Sequence, residues 1–176
     1  MMRQIVLDTE TTGLGASRNR IIEIACVELL DGLPTGSHFH AYLNPQQPSH
    51  PGARAIHGLT CEFLSDKPLF EDIVHAFCEY IQGAELLIHN ARFDTSFLDA
   101  ELARAGRPAL HEHVGKITDT LAIARRLFPG LPNSLDALCM RYRISLEERE
   151  FHGALLDANL LAQVFFRMTR DDNARK

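Results

Sequence analysis

The sequence predicts an α/β fold, and three observations carry that reading. Beta-branched runs come first, joined by connections short enough for antiparallel pairing. Strand and helix patterns then alternate, as they do in βαβ units. The chain has 176 residues, 45% of them hydrophobic, enough for one sizeable core and too few to expect two.

The first strand runs Ile5-Val6-Leu7-Asp8-Thr9-Glu10 and ends in the polar turn Thr11-Thr12-Gly13. Side chains alternate along a strand, so Asp8 and Glu10 point the same way, with α-carbons roughly 6–7 Å apart. Such a pair can straddle a cation, although Asp and Thr are also ordinary residues at a strand end. Residues 21–30, Ile-Ile-Glu-Ile-Ala-Cys-Val-Glu-Leu-Leu, form the second strand, and residues 38–43 alternate as a third, half-exposed one. The Asp31-Gly32 and Pro34–Gly36 segments are read as the turn between them. His38 and His40 share the polar face of the third strand; with no acid or thiol nearby in the sequence, they are poor metal ligands.

From Asn44 to Gly58, Pro45, Pro48 and Pro51 argue for a loop with one helical turn at most, and place His57 in it. Apolar residues recur at helical spacing over 69–82, Glu85–His89 reads as a short buried strand, and Asn90-Ala91-Arg92 turns into the next helix. In that helix Asp94 precedes the apolar stripe of Phe97, Leu98 and Leu102, which puts a carboxylate on the core side. It either complements the helix N-terminus or is neutralised by a partner or a metal, since an unpaired buried charge is unfavourable. Lys116–Thr118 supplies a last strand. Asp119 caps a helix that Pro129-Gly130 stops, and Asn133 or Ser134 caps another that has Asp136 in its first turn. Asp157 shares a stripe with Leu160, Leu161, Val164 and Met168 on the final helix, so a second acid stands on a buried face. His152, five residues earlier, would lie about 140° away on a continuous helix, whereas a loop before Gly153 lets it approach Asp157.

One domain over residues 1–168 is expected, with 169–176 fraying. No run approaches a membrane span and no signal-peptide core is visible, so the protein is expected to be soluble and intracellular. Cys26, Cys61, Cys78 and Cys139 form no Cys-x-x-Cys pair and read as reduced, buried thiols. The net charge of −5 argues against a protein that coats duplex nucleic acid.

Asp8, Glu10, Asp94 and Asp157 all stand where acids are costly unless neutralised, and one shared cause is simpler than four. Several carboxylates holding two divalent cations form a recurring phosphoryl-transfer device, and all-oxygen ligands suit Mg²⁺ or Mn²⁺. His152 has the chemistry of a general base near neutral pH.

Asp8-Thr-Glu10-Thr-Thr-Gly, His89-Asn-Ala-Arg-Phe-Asp94 and His152-Gly-Ala-Leu-Leu-Asp157 together resemble the three motifs of the DEDDh family of 3′–5′ exonucleases. Ile56-His57-Gly-Leu-Thr, Asp119-Thr-Leu-Ala-Ile-Ala-Arg and Asn133-Ser-Leu-Asp-Ala-Leu-Cys resemble its proofreading members in particular. The resemblance implies a ribonuclease-H-like fold with a mixed five-stranded sheet flanked by helices. It implies release of 5′-mononucleotides from a single-stranded or mispaired DNA 3′ end. By the same resemblance Asp8, Glu10, Asp94 and Asp157 are metal ligands and His152 is the base. Glu10, Thr11, Leu14, Ile56, His57, Phe93 and Asp157 are then the residues at the terminal nucleotide. A partnership with the DNA polymerase III catalytic subunit would run through a tail that this sequence does not include. The alternative is an oligoribonuclease or RNase T-like exonuclease acting on RNA. A silent binding module is disfavoured because all five residues are intact.

Overall fold

The computed structural model describes residues 2–146 and 151–174. Five strands form one sheet: β1 (Arg3–Thr11), β2 (Ile21–Leu30), β3 (Leu33–Tyr42), β4 (Glu85–Ile88) and β5 (Lys116–Asp119), in the order β3-β2-β1-β4-β5. The β1–β2 and β2–β3 pairs are antiparallel, and β1–β4 and β4–β5 are parallel. The sheet is therefore mixed, with the parallel strand β4 placed beside the one that carries Asp8 and Glu10.

The helices are α1 (Pro51–His57), α2 (Cys61–Leu64), α3 (Phe70–Ile81), α4 (Ala91–Arg104), α5 (Leu110–His113), α6 (Thr120–Leu127), α7 (Leu135–Tyr142) and α8 (Ala154–Ala174). Two apolar cores lie on opposite faces of the sheet, following the strand alternation. Ile5, Leu7, Ile24 and Leu86 pack with Phe77 of α3 and Phe97 and Leu98 of α4. Val6, Ala25, Val27 and Leu87 pack with Ala124 of α6, Leu138 of α7 and Leu161 and Val164 of α8.

Several expectations are corrected. The third strand begins at Leu33, so Pro34 and Gly36 lie inside it rather than in a turn. An edge strand tolerates a proline because no inward N–H bond is lost, and the ladder is irregular between Val27 and Leu29, opposite that segment. Pro51 opens the seven-residue helix α1 instead of preventing one, since proline suits a first turn. The short helices α2 and α5 carry too few residues for a periodic signal. Helix α8 continues through Ala174, beyond the position where fraying was expected, and the Tyr142 hydroxyl donates to Asp171 at 2.8 Å. All four cysteines are free, but Cys61 is exposed and Cys78 only half-buried.

Candidate active site

Alternation along β1 sorts its polar end between two helices. Asp8 and Glu10 continue the Val6 face, towards α8, while Thr9 continues the Ile5–Leu7 face, towards α4. The Thr9 hydroxyl accordingly donates to Asp94 Oδ1 at 2.7 Å, which ties the first turn of α4 to the end of β1. Asp94 and Asp157 are both buried, as their helical stripes require.

His152 lies in the segment before α8, and its Nδ1 is 3.3 Å from Asp157 Oδ2. A loop position was expected for it, and the approach to Asp157 follows. Oxygens of Glu10 and Asp157 and a ring nitrogen of His152 all lie within 4.8 Å of one another. The His152 loop is held from the other side by α1: its N–H donates to Ile56 O at 3.1 Å. The Phe151 ring rests on Gly58, whose left-handed φ of 69° ends α1 and where a Cβ would meet the ring at 3.0 Å.

The electrostatics follow from this crowding. Asp8 stays partly accessible, yet burial of its carboxyl raises the pKa well above the usual carboxylate range. The neighbouring Asp94, Glu10, Asp157 and Glu23 raise it further. Burial raises Asp94 to about 7, against the opposing hydrogen bond from Thr9. Both shifts mark carboxylates whose charge lacks compensation from protein groups, and added positive charge between them would relieve the cost. An all-oxygen set of this kind fits a hard divalent cation.

Beside the acids opens a cavity of about 870 Å³, lined by Glu10, Thr11, Leu14, Ile56, His57 and Phe93 among others. Six of the seven residues expected at the terminal nucleotide are thus brought together there, with Asp157 in the acidic cluster. Leu14 is 90% exposed and Ile56 52% exposed, so each offers an apolar surface that is not used in the core. Thr11 instead donates to Gly13 O at 2.8 Å and shapes the turn. His57, expected in a solvated loop, is buried and its pKa is lowered by that burial. Its Nδ1 accepts from Leu59 N at 3.0 Å, so the proton sits on Nε2, a buried atom with no partner among the described residues.

Residues beyond the expected set support the site. Arg20 grips the buried carboxylate of Glu101 on α4 through Nε at 2.7 Å and Nη2 at 2.9 Å, and Arg104 reaches Ala16 O at 2.9 Å. These contacts pin the loop that carries Leu14. His40 has an acidic neighbour after all, because its Nε2 is 2.8 Å from Glu23 Oε1. Glu23 stands opposite Glu10 in the β1–β2 ladder, so its side chain shares that face. Asp119 and Ser134 are helix caps as expected, accepting from Leu121 N and Ala137 N.

A mixed sheet whose central strand ends in paired acids, with a buried acid arriving on each flanking helix layer, defines a ribonuclease-H-like nuclease domain. The chain belongs to the exonuclease family of the RNase T type, whose family model matches residues 5–165. It is 51% identical over 173 residues to the DNA polymerase III subunit epsilon of Salmonella typhimurium, covering 95% of this chain and 71% of that protein. The Escherichia coli subunit of the same name is 50% identical, with the same coverage of each chain. Among solved structures, exonuclease X in complex with 5′ overhanging duplex DNA matches with a TM-score of 0.73 and 30% identity, over 95% of this chain and 91% of that one. Exonuclease I of E. coli in complex with a dT13 oligonucleotide superposes with a TM-score of 0.86 at 17% identity, over 99% of this chain and 42% of that one, and shares the fold. Among the described residues no helix is long and apolar enough to cross a membrane.

Proposed function

We propose that this chain removes 5′-mononucleotides from the 3′ end of single-stranded or mispaired DNA, as the proofreading exonuclease beside the DNA polymerase III catalytic subunit in the bacterial cytoplasm. The observation that carries the reading is the gathering of Asp8, Glu10, Asp94, Asp157 and His152 beside a nucleotide-sized, partly apolar cavity that Glu10 also lines. The subunit names of the half-identical relatives support the replicative setting.

In this reading Asp8, Glu10, Asp94 and Asp157 hold Mg²⁺ or Mn²⁺. Two such cations, when bound, supply Lewis-acid stabilisation of the charge that builds on the phosphoryl oxygens and make water more acidic. The protein's own groups do the rest. His152, exposed enough to meet solvent yet anchored through its N–H to Ile56 O, takes the proton of the attacking water. Leu14, Ile56 and Phe93 grip the terminal base through apolar contact, which tolerates any base. The buried Nε2–H of His57 offers the terminal nucleotide a donor with no competing partner among the described residues. Glu10 and Thr11 border the cavity where the terminal sugar would lie. A paired end must first be unpaired to enter a cavity sized for one strand, so matched duplex is cleaved more slowly without any base being read.

The test is release of 5′-mononucleotides from a 3′-labelled single strand in Mg²⁺ or Mn²⁺, compared with chelator and with Asp8→Ala. Activity in both magnesium and manganese that disappears in chelator and in the variant supports the assignment. Undiminished cleavage in chelator or by Asp8→Ala overturns it.

A further inference from the structure

A second cavity, of about 610 Å³, opens between the β4–α4 junction, α6 and the start of α7. Its lining includes His89, Asn90, Arg125, Leu131 and Ser134. It adjoins the first: Phe93 lines the nucleotide cavity and Asn90 lines this one, and the N–H of Phe93 donates to Asn90 O at 3.0 Å. The two cavities therefore lie on either side of the first turn of α4, with the buried carboxylate of Asp94 in the same turn.

The Arg125 and Asn90 side chains at this cavity are exposed and are not used by the fold. The Arg125 side chain is exposed and makes no hydrogen bond or ion pair among the described residues, although arginine guanidinium is the side chain best suited to phosphate. Asn90 is held at φ 66°, a left-handed backbone that a non-glycine residue adopts at some cost. Its side chain caps no helix and is exposed. The Ser134 hydroxyl accepts from Ala137 N at 3.2 Å and keeps its proton to donate.

The wall itself is fastened. His89 Nε2 bonds Asn133 O at 2.9 Å and Nδ1 bonds Thr120 Oγ1 at 3.0 Å, and burial lowers the pKa of its ring. Arg141 donates to Pro132 O at 2.8 Å and stacks over Phe128, 4.3 Å from the ring centroid. Asp119, an acid close to His89 in this wall, already accepts from Leu121 N and Asn90 N through Oδ1.

We propose that this cavity binds the phosphodiester backbone of the DNA strand on the 5′ side of the scissile bond, with Arg125 as the charged contact and Asn90 and Ser134 as neutral donors. The proposal rests on the exonuclease reading, because it needs a strand whose 3′ end lies in the first cavity. In a chain of net charge −5 whose active site is itself acidic, a local cation here is what would hold a strand longer than the terminal nucleotides.

The experiment compares a dinucleotide with a twelve-nucleotide DNA strand for the wild type, Arg125→Ala, Arg125→Lys and Asn90→Gly, the last preserving the left-handed backbone. Arg125→Ala should raise KM for the twelve-mer about tenfold at low salt, the scale of one charge-assisted contact, with a smaller effect on the dinucleotide. Its log–log salt slope should flatten by about 0.7, the value for one phosphate on a single strand. Arg125→Lys should recover part of both, and Asn90→Gly should move KM in the same direction by less.

Equal losses on dinucleotide and twelve-mer, or an unchanged salt slope, overturns the proposal. If the wild type releases no nucleotide from any strand, the proposed activity is what has failed. Fluorescence anisotropy of a labelled twelve-mer in Ca²⁺ then reads the cavity by itself, and equal affinity of wild type and Arg125→Ala overturns it.

Discussion

Replacing Asp94 by asparagine separates the proposed catalytic use of this carboxylate from its cost to the fold. Asp94 is buried, 3% exposed, accepts the Thr9 hydroxyl at 2.7 Å, and has its pKa raised from 3.8 to about 7 by burial. The folded protein binds this proton more tightly than the unfolded chain, so the ionised carboxylate opposes folding. That cost is fully present above the folded pKa near 7 and falls away as pH drops towards 3.8. Three pKa units correspond to about 4 kcal/mol, and sharing the field with Asp8 brings the expected effect of one site to ~2 kcal/mol. Asparagine keeps the shape and an acceptor for Thr9 while removing the charge. In chelator at about pH 8, Asp94→Asn should therefore melt roughly 4–8 °C above the wild type, by the usual conversion for a domain of this size. The gap should shrink steadily on acidification to about pH 4. In saturating Mg²⁺ or Mn²⁺ the order should reverse, because only the intact site gains binding energy, and nuclease activity should be lost. Melting curves in chelator and in metal across this pH range are the assay. An Asp94→Asn protein that is less stable than the wild type at pH ~8 without metal refutes the view that the buried charge is tolerated for function.

Other substitutions probe the rest of the site. His152→Ala should lower kcat by about 10²–10⁴-fold, with metal affinity reduced far less, because only a proton acceptor is removed; a pH–rate profile at saturating metal whose acid limb survives in the variant reassigns that limb to the carboxylates. Arg20→Met leaves the buried Glu101 carboxylate with only Arg104 at 3.4 Å and the Ile21 N–H at 3.2 Å, and should cost about 1–3 kcal/mol in chemical denaturation; no measurable loss would mean that those contacts hold the loop by themselves. In kcat/KM comparisons of matched oligomers, single-stranded and 3′-mismatched DNA should exceed matched duplex, and DNA should exceed RNA. Faster cleavage of short RNA would favour the oligoribonuclease alternative and leave the roles of the carboxylates standing.

The sequence by itself determined the acids and their faces. Strand alternation placed Asp8 and Glu10 together, and helical stripes put Asp94 and Asp157 on buried sides, because both periods are set locally by backbone geometry. The same logic located the strand order's raw material, the Asp119 cap and the loop position of His152. What tertiary structure decided are the contacts between distant segments. Thr9 meets Asp94 across 85 residues and Arg20 meets Glu101 across 81, and no local period encodes either. The length of α1 was hidden by its prolines, which disfavour a helix interior but suit its first turn. The burial of His57 depended on that helix docking against the loop that carries His152, with Phe151 on Gly58 and His152 on Ile56. His40 found its acid only when β3 paired with β2 and brought Glu23 within reach. Burial and pairing of a polar residue depend on which surfaces close over it, so they become definite only once the sheet order brings the neighbouring strands and helices together.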